Sequence, residues 1–249
     1  MRIKKYLRNL IYETVNIDSL DYKPKNPIDN NIVVSLTTIP SRISYIKPVI
    51  YSLLRQLEQP RIIELNLAVV PLKKDIPWEI PNWLERLDAV KIFWLDHDYG
   101  PASKFIPTLL RHKEEDSLVI VVDDDMLYPK DLIKSFMNAD FEIAGRCVAF
   151  CANGHPIARN LNFADSPSDK RIKKGNRRVA IVEGCGGYCV RSRYFDLGAL
   201  EDISKAPNGA IIMDDIWISG HLSRQGVSKI QIPTSKRKSL FQSDIVAIP

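Results

Sequence analysis

The chain has 249 residues, of which 45% are hydrophobic and 26% charged, and its formal net charge is +5. This balance is typical of a globular protein and excludes a disordered or fibrous one. No apolar stretch approaches the roughly 18 residues that would span a bilayer. The positive charge is also too weak for a dedicated nucleic-acid binder, so we expect no nucleic-acid partner.

Residues 1–30 are predicted to form a basic, amphipathic extension and linker. Apolar Tyr6, Leu10 and Ile11 alternate with Lys and Arg residues, and a stretch rich in Pro and Asn follows. Polar residues interrupt the apolar run, unlike the core of a secretion signal. We therefore expect a cytoplasmic protein whose extension either packs on the body or makes peripheral contact with an anionic membrane at its inner face.

Residues 31–249 are predicted to form a single α/β domain. Strands and helices alternate in the first half, and the second half is richer in strands. This order favours a mainly parallel, Rossmann-like sheet flanked by helices, with a mixed second half. The predicted strands are 32–36, 62–70, 90–95, 118–122, 147–151, 179–182, 188–191 and 229–232, and the predicted helices are 44–56, 101–111, 214–225 and one that begins at Pro129.

Three adjacent carboxylates, Asp123, Asp124 and Asp125, directly follow the apolar run 118–122. Such a run is typical of a buried central strand, and open α/β sheets bind ligands beyond the carboxyl ends of their strands. Neighbouring carboxylates repel each other unless a cation is present. The pattern indicates a Mg²⁺ or Mn²⁺ site, and a solvent-exposed acidic turn is the structural alternative.

A second acidic pair, Asp214 and Asp215, opens the predicted helix 214–225. Carboxylates are common caps at helix N-termini, so a purely structural role stays open. A carboxylate that instead faces a cleft could act as a general base. The polar segment 153–178, between two predicted strands, has the length of a loop that could close over a bound substrate.

Five segments of the sequence, taken in order, resemble bacterial glycosyltransferases of the GT-A fold, close to the family-2-like sugar transferases of surface polysaccharide assembly. The resemblance covers roughly residues 32–232. The triple aspartate and the downstream Asp-Asp pair are its most specific parts. The segments are VVSLTTIPSRI (33–43), DYGPASKF (98–105), VIVVDDDMLYP (119–129), EGCGGY (183–188) and DDIW (214–217).

The resemblance implies roles for the acidic residues. Asp123 and Asp125 match the D-x-D motif, which holds Mn²⁺ or Mg²⁺ against the diphosphate of a nucleotide sugar, and Asp124 lies between them in the donor site. Asp215 matches the carboxylate that deprotonates the acceptor hydroxyl in inverting members.

The resemblance also implies further positions that contact the donor. One set lies in the first-strand loop, one in a second segment that faces the nucleotide, and one in a loop between donor sugar and acceptor. In that order these are Thr37, Pro40 and Arg42, then Asp98 and Lys104, then Gly186 and Gly187.

The resemblance therefore implies a metal-dependent, inverting glycosyltransferase, in which a single base assists direct attack. It would move a sugar from a nucleotide-diphosphate sugar to a hydroxyl of a glycan or of a lipid-linked sugar. A nucleotidyltransferase is one alternative, although SLTTIPSR lacks the glycines of its usual phosphate loop. A non-catalytic protein that binds a divalent cation or a nucleotide is the other, although the EF-hand calcium pattern is absent.

Overall fold

The computed structural model describes residues 14–26, 28, 30–72, 76–143, 145–160, 165, 172–207, 209, 212–235 and 238–239. The amphipathic segment predicted through Tyr6, Leu10 and Ile11 lies outside these residues, and so does the centre of the 153–178 segment. Within the described ranges, none of the helices combines the length and the apolarity needed to cross a bilayer.

An eight-stranded sheet forms the centre of the protein, with the order β3-β2-β1-β4-β10-β6-β11-β8. Two further pairs, β12 with β5 and β7 with β9, form small sheets of their own. The strands are β1 (Ile32–Thr37), β2 (Ile62–Ala68), β3 (Val90–Leu95), β4 (Leu118–Val121), β5 (Met126–Leu127), β6 (Val148–Cys151), β7 (Gly154–His155), β8 (Arg177–Arg178), β9 (Ile181–Val182), β10 (Tyr188–Val190), β11 (Ser228–Gln231) and β12 (Lys238–Ser239).

The direction of the strands divides the sheet into two parts. Strands β3, β2, β1 and β4 are all parallel. Strand β10 runs antiparallel to β4 and β6, β11 is again parallel to β6, and β8 is antiparallel to β11. The predicted mainly parallel sheet with a mixed second half is confirmed.

Helices cover both faces of this sheet, because the central strands are apolar on both sides. In β4, Ile120 belongs to one apolar core and its neighbours Val119 and Val121 to the other. The α-helices are α1 (Lys47–Leu54), α2 (Asn82–Glu85), α3 (Ile106–Arg111), α4 (Leu132–Glu142), α5 (Leu197–Glu201) and α6 (Asp214–Arg224).

Three of the predicted helices begin at a different residue in the structure or are divided there, and most of the predicted strands differ by one or two residues at an end. The helix predicted from Pro129 begins at Leu132 instead, with Asp131 as its N-cap residue. The helices predicted at 44–56 and 101–111 are each divided into a 3₁₀ segment and an α-helix, Pro40–Tyr45 before α1 and Gly100–Lys104 before α3. Both α-helices have Pro at an early position, where a missing N–H costs no hydrogen bond.

The described part of the predicted extension packs against the domain. Ile17 is buried in the larger apolar core. The Asp21 carboxylate accepts hydrogen bonds from the backbone N–H groups of Asp88 (2.8 Å) and Ala89 (2.9 Å). Residues 17–21 thus contribute to the folded body, and the domain boundary at residue 31 stays a prediction.

A candidate active site at the carboxyl edge of the sheet

A cavity of about 680 Å³ lies where the parallel strands end. It lies at the carboxyl ends of β1, β2 and β4 and extends to the N-terminus of α6. Most of the polar residues predicted for donor and metal binding meet here. Its lining consists of Thr37, Thr38, Ile39, Arg42, Ala68, Pro71, Leu72, Trp78, Asp98, Gly100, Pro101, Lys104, Asp123, Asp124, Asp125, Ile212, Asp214 and Asp215.

The three aspartates after β4 have different partners. Asp123 forms an ion pair with Lys104 (Nζ to Oδ1, 2.7 Å). Asp124 is paired with the Arg42 guanidinium and accepts a hydrogen bond from Thr38 Oγ1 (2.5 Å). Asp125 has the most exposed side chain of the three, at 36%, and lies 3.6 Å from Arg42. The middle aspartate is therefore held by the protein, and Asp125 faces the open cavity.

Lys104 acts as a counter-ion inside the site. Its side chain is only 6% exposed, and its Nζ lies 2.7 Å from Asp123 Oδ1 and 2.8 Å from Asp214 Oδ2. Burial alone would lower the pKa of Lys104, but Asp123 and Asp214 outweigh burial and hold it well above the usual value. Ser35 Oγ donates to the Lys104 carbonyl (2.6 Å), which fixes the backbone at this point. The ammonium thus joins the D-x-D segment to the acidic pair on α6.

The acidic pair on α6 does not cap its helix. Met213 is the N-cap residue, and no side-chain hydrogen bond is made from that position. Asp214 pairs with Lys104, and Asp215 Oδ1 accepts a hydrogen bond from the Gly184 N–H (3.0 Å). The structure therefore places both carboxylates at the cavity and not in the role of helix caps.

Burial and crowding of negative charge raise the pKa values of several of these carboxyls. Burial raises the pKa of Asp215 to about 7; Lys104 opposes this shift, and Asp214 and Asp123 add to it. Burial also raises the pKa of Asp124 to about 6, although Arg42 and Thr38 act in the opposite direction. The pKa of Asp125 is raised by burial and by Asp123. A carboxyl that titrates near neutral pH is suited to accept a proton during a reaction.

The carboxylate oxygens in the cavity suit a divalent cation whose other ligands come from a bound substrate and from water. The residues that the structure describes contain no group of three or more His, Cys, Asp or Glu side chains arranged to hold a metal ion. Mg²⁺ commonly binds through one or two carboxylates, with substrate phosphates and water as its other ligands. Asp123 and Asp125 line the same cavity and supply two such carboxylates.

The glycine loop approaches the site through Gly184. A Cβ at Gly184 would lie 2.6 Å from Asp123 Oδ1 and 2.8 Å from Lys104 Nζ. Gly186 and Gly187, the positions expected at the donor, do not belong to the cavity lining. Gly186 packs on Asn153, and Gly187 has φ +81° and faces Leu132 and β4. Of the three glycines in this loop, only Gly184 therefore lies next to the carboxylates of the cavity.

Two other predicted positions support loops of the protein. The Asp98 carboxylate accepts hydrogen bonds from Leu72 N (2.7 Å) and Gly100 N (2.7 Å), so it ties together two loops at the cavity. Pro40 is buried at the start of its 3₁₀ segment and does not line the cavity. Thr37 and Arg42 do line it.

Sequence reasoning missed several residues that the structure brings to this site. Thr38 binds Asp124, and Trp78 forms part of the wall. The hydroxyl of buried Tyr128 accepts a hydrogen bond from Asp123 N (2.8 Å) and donates one to the Gly184 carbonyl (3.3 Å). Tyr128 thereby connects the aspartate turn to the glycine loop. Thr38 adjoins predicted Thr37 and Tyr128 lies within the segment 119–129, although neither was assigned a role, and no sequence pattern marks Trp78.

Comparison with known proteins identifies the fold. No protein-family model matches the sequence, and no curated protein matches it. Among solved structures, the chain is similar to one described as the crystal structure of GalNAc-T7 with UDP, GalNAc and Mn²⁺. The TM-score is 0.55 at 12% sequence identity, over 84% of this chain and 44% of that one. The chain thus spans less than half the length of that protein, and the likeness shows a GT-A-like fold.

Proposed function

We propose that the protein is a metal-dependent glycosyltransferase that moves a sugar from a nucleotide-diphosphate sugar to a hydroxyl acceptor with inversion. One observation carries the proposal. The carboxylates at the end of β4 and those at the start of α6 line a single cavity and share Lys104 as a counter-ion. The solved structure with a similar fold contains UDP, GalNAc and Mn²⁺, which supports a nucleotide sugar as donor.

Asp123 and Asp125 would hold the divalent cation. When bound, Mn²⁺ or Mg²⁺ would offset the charge that develops on the leaving diphosphate. Arg42 lies next to Asp124 and Asp125 at the cavity wall and adds a positive charge there. Thr37, near the end of β1, and Trp78 offer a polar and an aromatic wall to the nucleoside.

Asp215 would act as the general base. With a pKa of about 7, it is ionised in a large fraction of molecules near neutral pH and can still take up a proton. The Gly184 N–H fixes one carboxylate oxygen, Oδ1. We propose that Asp215 removes the acceptor proton as the oxygen attacks the anomeric carbon, and that the nucleoside diphosphate leaves from the opposite side.

The test is a panel of nucleotide sugars incubated with the protein and Mn²⁺ or Mg²⁺. Cleavage between the anomeric carbon and the diphosphate releases a nucleoside diphosphate, and this is the expected product. A nucleotidyltransferase would instead release a sugar 1-phosphate when pyrophosphate is added, because pyrophosphate attacks the α-phosphorus and breaks the bond between the two phosphates of the nucleotide sugar. A protein that only binds cations or nucleotides would release neither. Inversion is checked by the anomeric configuration of a transferred sugar, and a retained configuration would remove the single-base mechanism.

A further inference from the structure

A buried tyrosine hydroxyl lies between the two groups of carboxylates in the site. Tyr128 is only 5% exposed and belongs to the larger apolar core. Its hydroxyl oxygen accepts a hydrogen bond from the Asp123 N–H (2.8 Å) and donates one to the Gly184 carbonyl (3.3 Å). Tyr128 does not belong to the cavity lining, so any part that it plays in a reaction must act through these two neighbours.

One of these neighbours, Gly184, also holds the proposed general base. Its N–H donates to Asp215 Oδ1 (3.0 Å), while its carbonyl accepts from Tyr128. A Cβ at position 184 would lie 2.6 Å from Asp123 Oδ1, so the backbone of the glycine loop packs directly on the aspartate turn. A continuous chain of hydrogen bonds therefore runs from Asp123 through Tyr128 and Gly184 to Asp215.

A second connection between the two groups of carboxylates depends on charge. Lys104 Nζ pairs with Asp123 (2.7 Å) and with Asp214 (2.8 Å). A divalent cation on Asp123 would repel this ammonium and compete with it for the carboxylate oxygens. The hydrogen bond from the Asp123 N–H to Tyr128 uses no carboxylate oxygen, so it is not subject to that competition. We therefore expect the neutral chain through Tyr128 to persist when a cation binds.

We propose that Tyr128 is a positioning residue that sets the distance between the cation site and the general base. This role rests on the proposed function, because it belongs to that same reaction. The cation acts on the leaving diphosphate, and the base acts on the acceptor at the opposite side of the anomeric carbon. Both must be correctly placed at once only in the transition state, so their spacing affects the chemical step more than donor binding.

The experiment removes the hydroxyl and keeps the ring. The variant is Tyr128→Phe, and the matched control is Tyr194→Phe. Tyr194 is 1% exposed, and its hydroxyl neither lines the cavity nor has a hydrogen-bond partner among the described residues. Each substitution is made both in the wild-type protein and in Asp215→Asn. Steady-state kinetics measure kcat and donor KM, and calorimetry measures Mn²⁺ affinity with nucleotide present.

We expect Tyr128→Phe to lower kcat by about 10- to 100-fold, the usual cost of displacing reacting groups by about 1 Å. Donor KM and Mn²⁺ affinity should stay within about threefold, because donor and cation would contact the aspartate turn and not the base. In Asp215→Asn the same substitution should lower the remaining kcat by less than about threefold, since the base that it displaces is already absent. Tyr194→Phe should leave kcat, KM and Mn²⁺ affinity unchanged in both backgrounds.

Three results would overturn the role of Tyr128. An unchanged kcat in Tyr128→Phe, or an equal loss in Tyr194→Phe, would show that this hydroxyl has no specific part in the reaction. An equal loss of kcat with and without Asp215 would show that Tyr128 does not act through the base. A large loss of Mn²⁺ affinity, with kcat retained at saturating metal, would make Tyr128 a structural support of the aspartate turn alone.

The proposed function is tested separately by the wild-type protein. If the wild type releases a nucleoside diphosphate, each of the three results rejects only the role of Tyr128. If it releases none from any donor, the proposed function is rejected and the role of Tyr128 is rejected with it.

Urea unfolding checks that Tyr128→Phe is folded, and Gly184→Ala takes its place if it is not. A Cβ at position 184 would meet Asp123 Oδ1 at 2.6 Å, so the glycine loop and its N–H to Asp215 must move away from the aspartate turn. We expect this variant to lower kcat in the wild type and to have little effect in Asp215→Asn. An equal fall of kcat in both backgrounds would reject the spacing role.

Discussion

Two groups of buried carboxylates in this protein differ in how completely they are paired. Glu64 on β2 contacts His112 Nε2 (2.6 Å), Arg111 Nη2 (2.5 Å) and Thr108 Oγ1 (2.9 Å). Burial raises its pKa, but the hydrogen bonds and charges of His112 and Arg111 outweigh burial, so the pKa of Glu64 is lowered. Asp215 accepts one backbone hydrogen bond and lies among other carboxylates, so its pKa is raised to about 7.

The comparison distinguishes a structural carboxylate from one that is available for chemistry. Glu64 is only 2% exposed, and the folded protein stabilises its charged form. The folded protein instead disfavours the charged form of Asp215, and this carboxylate lines an open cavity. Active sites commonly retain destabilising groups of this kind, whose cost the rest of the fold offsets.

Asp125→Asn should have the largest effect on activity. Loss of a cation ligand removes several kcal/mol of transition-state stabilisation, so turnover should fall by about a thousandfold or more. The fold should persist, because removing this charge relieves repulsion from Asp123. Nucleotide release measures turnover, and calorimetric titration of Mn²⁺ with nucleotide present measures binding. Unchanged turnover and metal affinity would exclude Asp125 as a ligand.

Asp215→Asn should lower turnover by about 10²–10⁴-fold, the usual contribution of a positioned base. Donor and metal affinity should stay the same, because Asn can still accept the hydrogen bond from Gly184. Steady-state kinetics with donor and acceptor measure the loss. If the variant keeps near-normal turnover, Asp215 is not the base and Asp214 is the next carboxylate to test.

Glu64→Gln is the matched change in the fully paired group. Removing the charge should destabilise the fold by about 3 kcal/mol, because Arg111 and His112 lose their buried partner. Urea unfolding measures this loss of stability at pH 7, and turnover per folded molecule should stay within about twofold.

The change in the free energy of unfolding should have the opposite sign for Asp215→Asn. Since the folded pKa of Asp215 is raised, its charge costs stability as the pH rises to about 7, so this variant should be the more stable one at pH 8. If Glu64→Gln and Asp215→Asn changed the free energy of unfolding by the same amount and in the same direction, the contrast drawn between the two carboxylates would be wrong.

The pH dependence of the wild-type protein's proposed activity should show the smallest effect. The base must be ionised, so kcat/KM should rise with pH and level off above the pKa of Asp215, which is about 7. Between pH 6 and pH 8 the ionised fraction of such a group grows about tenfold. The residual activity of Asp215→Asn should lack this rise, and a flat wild-type profile would argue against Asp215 as the titrating group.

Much of the fold was predictable from the sequence, because the central strands are local features. The run 118–122 is apolar at every position, and the residues that follow it must leave the sheet at its carboxyl edge. This placed Asp123, Asp124 and Asp125 at the edge where the structure has them. Gly226 was likewise a predictable end for α6, and it has φ +68° after Arg224, the last residue of that helix.

Local bounds were less predictable where prolines and tertiary contacts compete. Pro129 is a good first residue of a helix, yet α4 begins at Leu132. The Pro129 carbonyl accepts a hydrogen bond from Gln56 Nε2 (2.8 Å), a residue beyond the end of α1. A contact between segments so far apart in the chain is not encoded in the local pattern.

The sequence by itself determined the α/β alternation, the parallel first half of the sheet and the carboxylates that end its central strand. The tertiary structure decided how those carboxylates are paired. Lys104 joins Asp123 to Asp214, Gly184 and not Gly186 meets them, and Tyr128 links the two loops. The physical reason is range: strand formation depends on neighbouring residues, whereas an ion pair or a close backbone approach depends on where distant segments pack. The pKa of Asp215 depends on that same packing, and with it the chemistry proposed for the site.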